Sequence, residues 1–129
     1  MITLLLVDDQ AAVRRALRMR LALEPDITVL GEAGDGREAL TLAAALAPAV
    51  VLMDVEMPGM DGIDATAALC ARAPHSAIVV LSLHDSAVLR ARATRAGAAA
   101  FVGKHEAPEA LIATIRRVAG ECRAERRRV

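Results

Sequence analysis

The sequence predicts an α/β domain in which five strands alternate with five helices and the strands form one parallel sheet. Three observations point to it. Val50 to Met53 and Ala77 to Leu81 are apolar runs without polar alternation, as in strands covered on both faces. Between such runs, apolar residues recur three and four positions apart, which is helical spacing. Pro25, Pro48, Pro74 and Gly97 punctuate the helix ends.

In order, Ile2 to Val7 is an apolar strand that ends in Asp8-Asp9. The helix after it carries Val13, Leu17 and Leu21 at four-residue spacing, with Ala12, Ala16 and Leu23 beside them. Arg14, Arg15 and Arg18 fall on its other side. Pro25 stops this helix, because the residue before a proline is steered from helical angles. Ile27 to Gly31 reads as a second strand, mixed in character and therefore expected at an edge. Gly34-Asp35-Gly36 turns into a second helix with Ala39, Leu40, Ala43 and Leu46 on one face.

Asp54 closes the central strand, and Pro58 and Gly59 then force a turn. Gly62 is read as loosening the start of a third helix, expected to bury Ile63, Ala67 and Cys70 and to break at Pro74. The fourth strand, Ala77 to Leu81, runs directly into Ser82. A fourth helix is expected from Ser86 to Ala96, with Gly97 as its left-handed cap. Ala98 to Val102 is the fifth strand, and Gly103-Lys104 stands at its end. Pro108 suits the first turn of a fifth helix whose core face is Leu111, Ile112, Ile115, Val118 and Ala119. Ala107 occupies the place of a capping hydroxyl, a loss of ~1 kcal/mol.

At 129 residues the chain can bury one core without staples. No apolar run approaches the roughly 20 residues of a membrane span, and no secretion signal opens the chain. Sixteen basic and sixteen acidic residues cancel, which argues against a generally basic nucleic-acid surface. Cys70 and Cys122 fit neither a metal spacing nor a disulfide framework, and are expected on opposite faces. A cytoplasmic protein with free thiols is expected. Two oddities bear on chemistry: Lys104 is the single lysine beside fifteen arginines, and Phe101, three positions earlier, is the single aromatic residue.

Four of the five strands end in a reactive side chain: Asp8-Asp9, Asp54, Ser82 and Lys104. Carboxyl ends of parallel strands are the rim where ligands bind. Asp54 by itself reads equally well as a carboxylate bonding loop amides; its company favours chemistry. Leu-Val-Asp-Asp, Met-Asp-Val-Glu-Met-Pro-Gly-Met-Asp-Gly, Leu-Ser-Leu-His-Asp, Arg-Ala-Gly-Ala and Phe-Val-Gly-Lys occur here in that order. Jointly they closely resemble the receiver domain of bacterial two-component response regulators over residues 2 to 120. Asp26 to Leu40 and Lys104 to Ala119 are most similar to the NarL/LuxR-type subclass.

The resemblance implies a flavodoxin-like, doubly wound (βα)5 fold with strand order 2-1-3-4-5. It sets a receiver domain at residues 1–120 and leaves 121–129 as a basic extension or linker stub. It also implies that Asp54 accepts a phosphoryl group from a sensor histidine kinase, with Mg²⁺ as cofactor. Asp9 and Asp54 would ligate the ion directly, Asp8 through water, and Glu56 through its backbone carbonyl. Lys104 would offset phosphoryl charge, and Ser82 and Phe101 would be the switch pair that alters the face made by the fourth helix, fifth strand and fifth helix. A homodimer through that face is an expectation of the same kind. So is kinase docking on Ala11, Arg14, Leu17 and Arg18 of the first helix, with the loop after Lys104.

Departures from the family pattern carry expectations too. Glu56 adds negative charge near the phosphoryl entrance, and Leu83 is bulkier than the small residue often found beside the switch hydroxyl. His84 reads either as a shield over the phosphoryl group or as a surface imidazole, and the latter is favoured. His105 replaces a frequent cis-proline, so a trans bond is expected. Arg90, Arg92 and Arg95 read as a solvated helix face, with a dimer contact as the lesser reading; Arg123 with Arg126 to Arg128 read as a solvated helix end or linker, since a basic arm for nucleic acid would lack an aromatic or polar reader beside it. Two rivals remain. A magnesium phosphatase using an aspartyl phosphate typically wants an Asp where Glu56 stands. The other is the receiver part of a DNA-binding transcriptional regulator whose helix-turn-helix is not in this sequence; the chain alone is expected to bind neither nucleic acid nor membrane.

Overall fold

The computed structural model describes residues 1–128, with side chains through Cys122. Strands β1 (Ile2–Val7), β2 (Ile27–Ala33), β3 (Val50–Asp54), β4 (Ala77–Ser82) and β5 (Ala100–Gly103) alternate with helices α1 (Ala11–Leu21), α2 (Gly36–Leu46), α3 (Gly62–Arg72), α4 (Ala87–Ala96) and α5 (Pro108–Arg128). All the strands pair in parallel, in the order β2-β1-β3-β4-β5. β2 therefore lies at an edge, as its mixed sequence implied. Its register against β1 shifts between Leu4 and Leu5, so Leu30 bulges out of the ladder.

The unbroken apolar runs are explained by two cores. Leu4, Leu6, Leu52, Val79 and Leu81 face Leu21, Leu111, Ile112 and Ile115, so α1 and α5 cover one side. Leu5, Val7, Val51, Met53 and Val80 face Ala39, Ala43, Leu69 and Ala93, so α2, α3 and α4 cover the other. The core face expected for α5 is buried in full.

Several local expectations need correction. In α1 only Leu21 is buried; Val13 and Leu17 are half-buried, and Ala12, Ala16 and Leu23 are exposed. The reason is a groove of about 530 Å³ between α1 and α5, lined by Val13, Leu17, Val102, Lys104, Leu111 and Ile112. In α3 the buried stripe is Ile63, Thr66 and Leu69 with Ala65, whereas Ala67 is exposed and Cys70 half-buried.

Gly62 does not loosen that helix. A Cβ there would stand 2.0 Å from the Asp54 carbonyl oxygen, so glycine lets α3 begin directly against the end of β3.

The cysteines are not on opposite faces either. Both line one cavity of about 370 Å³, because α5 continues past residue 120 and carries Cys122 as one of its own residues. Cys122 Sγ donates to the His75 carbonyl at 3.4 Å, and Cys70 Sγ donates to the Gly97 carbonyl at 3.5 Å. Gly97 has φ +106°, and a Cβ there would meet Cys70 Sγ at 2.7 Å, so both backbone and space require glycine. The expectation for the side chains of Arg123 and Arg126 to Arg128 lies outside the described residues.

Candidate functional site

The winding direction reverses between β1 and β3, and the site lies at that rim. Met53 pairs with Val7, which places the next residues, Asp54 and Asp8, alongside one another at the two strand ends. Asp8 is 3% exposed and Asp54 2%, while the neighbouring Asp9 is open to solvent. One carboxylate oxygen from each of Asp8, Asp9 and Asp54 lies within 4.8 Å of the others. Asp8 is held by the Gln10 amide, which donates to Oδ1 at 2.9 Å. The Arg14 guanidinium donates to the Asp8 carbonyl and, at 3.1 Å, to Glu32. Arg14 thus braces the rim in addition to presenting charge.

β5 delivers Lys104 to the same place. Its backbone N–H donates to the Ser82 carbonyl at 2.7 Å, and its Nζ lies 2.7 Å from Asp54 Oδ1 and 3.4 Å from Asp8 Oδ2. No cis peptide bond is present among the described residues, so Lys104–His105 is trans as expected. Asp54 Oδ1 also accepts from the Glu56 backbone N–H at 3.2 Å. To Oδ2 no N–H or O–H group of a described residue donates.

Charge at the rim is out of balance: two buried carboxylates share one ammonium. Burial raises the Asp54 pKa to about 6. Lys104 opposes that rise, while Glu56, to which a protonated Asp54 donates, and the charge of Asp8 add to it. For Lys104, burial favours the neutral amine, but Asp54 and Asp8 together outweigh it and its pKa rises. An all-oxygen cluster with excess negative charge fits a small, hard divalent cation, and magnesium suits such a set completed by water and phosphate.

Ser82, at the end of β4, is fully buried. Its Oγ donates to Glu56 Oε1 at 2.7 Å and accepts from the His84 N–H at 3.0 Å. The Leu83 N–H also donates to Oε1, at 3.3 Å. Glu56 Oε2 is buried without a donor. Burial opposes ionisation of Glu56, yet the Ser82 and Asp54 hydrogen bonds more than compensate and its pKa falls. The Leu83 side chain is 63% exposed, and His84 is exposed.

Phe101 is half-buried and packs on the α2–α4 side, with the Arg90 guanidinium carbon 4.6 Å from its ring centroid. Arg90 is fixed by two bonds to Asp85, at 2.6 and 3.0 Å. Sequence reasoning brought Asp8, Asp9, Asp54 and Lys104 together correctly. It missed the Glu56 clasp on Ser82 and the Arg90 cover on Phe101, taking Arg90 for part of a solvated helix face.

Sheet order and rim define a flavodoxin-like module of the receiver class. The chain belongs to the response regulator receiver domain family, whose pattern matches residues 4–116. It is 40% identical over 124 residues to the transcriptional regulatory protein UhpA of Salmonella typhimurium, covering 95% of this chain and 61% of that protein. To the transcriptional regulatory protein LiaR of Bacillus subtilis it is 49% identical over 82 residues, 64% of this chain and 39% of that one. Its backbone superposes on the signal receiver domain of the putative response regulator NarL from Mycobacterium tuberculosis with a TM-score of 0.87. Identity there is 31%, covering 92% of this chain and 96% of that one. These relatives place it with the NarL/LuxR-type regulators, and it spans only part of the length of the curated ones. Among the described residues no helix is long and apolar enough to cross a membrane.

Proposed function

We propose that this domain is a phosphoacceptor switch in which Asp54 takes a phosphoryl group from a phosphohistidine of a sensor histidine kinase in the cytoplasm. The observation that carries this reading is the Asp54–Lys104 contact of 2.7 Å inside the three-carboxylate cluster. Oδ1 is occupied by Lys104 and the Glu56 amide, so Oδ2 is the free oxygen that attacks phosphorus. The bond from phosphorus to the donor imidazole breaks as the bond to Oδ2 forms, and the imidazole keeps the electron pair. Lys104 supplies positive charge next to the equatorial oxygens, which is the main help a protein gives to such a transfer. Asp8, Asp9, Asp54 and the Glu56 carbonyl would hold Mg²⁺, which when bound offsets charge on the carboxylates and the phosphoryl oxygens. Ser82 and Phe101 pass the change to the face formed by α4, β5 and α5, where a homodimer or another partner is engaged. The protein itself is a switch and not a dedicated enzyme.

Incubation with acetyl phosphate and Mg²⁺, followed by peptide mass spectrometry, tests this. A base-labile adduct on Asp54 that disappears with chelator is expected. Full labelling of Asp54→Ala would overturn the assignment.

A second reading concerns the parent protein. The curated relatives compared above are named as transcriptional regulators and are longer than the matched segment, which favours transcription control as the output. The chain itself, with formal net charge zero, is expected not to read DNA. Salt-resistant, sequence-dependent retention of a duplex by the purified chain would contradict that.

A further inference from the structure

We propose that Glu56 is a latch on the switch hydroxyl: its carboxylate holds Ser82 in the unmodified arrangement and must release it before Ser82 can serve a phosphoryl group. The inference rests on the phosphoacceptor reading of Asp54 and goes beyond it by naming what opposes the switch.

A serine hydroxyl has one proton. Ser82 already donates it, to Glu56 Oε1 at 2.7 Å. Donation to Glu56 and donation to a phosphoryl oxygen are therefore mutually exclusive. The clasp is also wider than one bond. Oε1 takes the Leu83 N–H at 3.3 Å, and the same Ser82 oxygen accepts from His84 at 3.0 Å. Glu56 thus ties the loop after β3 to Ser82 at the end of β4 and to Leu83 beyond it, with His84 held in turn by Ser82.

The clasp is built to open. With Asp54 ionised, no described residue donates to the buried Glu56 Oε2, so the latched carboxylate is only half satisfied, and swinging outward hydrates it. It is also connected to the event that should open it, because the Glu56 backbone N–H donates to Asp54 Oδ1 at 3.2 Å. A change at the Asp54 carboxyl is felt two residues along, at the base of the latch. Glu56 is a positioning residue in this scheme: it acts through Ser82.

One alternative to acting through Ser82 is separable. Simple charge repulsion of the incoming donor would depend on the carboxylate's charge but not on Ser82. Glu56→Gln removes the charge and keeps a carbonyl oxygen that can accept from Ser82; Glu56→Ala removes both. The initial rate of Asp54 labelling by acetyl phosphate with Mg²⁺ is measured for wild type, Glu56→Gln, Glu56→Ala, Ser82→Ala and both double variants. The Leu83 and His84 amide resonances of the unmodified proteins are recorded alongside.

The latch requires Glu56→Ala to raise the rate by about tenfold, the scale of one hydrogen bond to a charged acceptor. Glu56→Gln should fall clearly short of that, with the Leu83 and His84 amides shifted only in the alanine variant. Both effects should vanish in the Ser82→Ala background. Equal acceleration by both variants, persisting without Ser82, would overturn the latch and leave the phosphoacceptor reading intact. An unlabelled wild-type protein would overturn that reading instead, and the latch with it. Circular dichroism confirms folding, and Glu56→Ser repeats the test should the alanine variant unfold.

Discussion

Among the described residues Lys104 is the sole cation in direct contact with the two buried carboxylates, and that fact sets what its loss should do. Lys104→Met keeps the stem and removes the charge that sits 2.7 Å from Asp54. Labelling of Asp54 by acetyl phosphate is expected to fall by about 10²-fold or more, the usual scale for one preorganised charge donor. Lys104→Arg should rescue poorly, since a forked guanidinium does not replace a point charge at so tight a site. Unchanged labelling in Lys104→Met would remove Lys104 from the mechanism. At this scale the sequence was legible wherever a residue's place follows from strand termination: Asp8, Asp54, Ser82 and Lys104 each stand at or just after a strand's end. Glu56 and Arg90 were not legible in the same way. Both reach partners on another element, Glu56 to Ser82 of β4 and Arg90 to Phe101 of β5, and neither periodicity nor spacing encodes a rotamer.

At the scale of elements, the helices differ in how firmly they are held. α5 buries Leu111, Ile112, Ile115, Val118 and Ala119, whereas α4 buries Ala93 alone and leaves Val88 71% exposed. α4 is rich in alanine, and Ala87 and Ala91 are exposed. α5 is further pinned to the α1–β2 loop by Arg116, which bonds Asp26 twice and Glu24 once, each at 3.0 Å. Arg116 holds the Asp26 carboxyl below its ordinary range; Arg20 and then Arg116 do the same for Glu24. Carboxylates with lowered pKa values stabilise the fold above roughly pH 4 and lose that contribution as the pH falls through their folded values. Arg116→Ala should therefore lower Tm at pH 7, with the difference from wild type shrinking in acid and in high salt. A deficit that stays constant from pH 7 to pH 3 would show that Arg116 acts by packing. α1 and α3 show where element reading fell short. Helical spacing marked an apolar face for each but could not place it against the sheet, so the α1–α5 groove and the shifted α3 stripe emerged only in three dimensions.

As a whole, the molecule is two cores around one sheet, with a charged rim at the carboxyl ends of the strands. Coupling needs a two-state element that the rim biases. In the proposed function Ser82 and Phe101 would supply it: one is clasped by Glu56, the other covered by Arg90, and β4 and β5 pair Ser82 with Gly103 and Val80 with Phe101. Fold class and strand order followed from the alternation of elements and the family motifs; the state of the switch pair did not, because it is a matter of side-chain contacts. Phe101 is the only residue among Phe, Tyr and Trp, so its ring is a clean reporter in a chain with no intrinsic tyrosine or tryptophan fluorescence. The most direct measurement is backbone and ring NMR of the Mg²⁺-bound protein before and after beryllium trifluoride, a phosphoryl mimic. Shifts at Asp9 and Asp54 that extend through Ser82 and the Phe101 ring into α4, and that fade in α4 when Ser82 is replaced by alanine, are the expected result. Shifts confined to Asp9, Asp54 and their loops, or α4 changes undiminished in Ser82→Ala, would contradict the account.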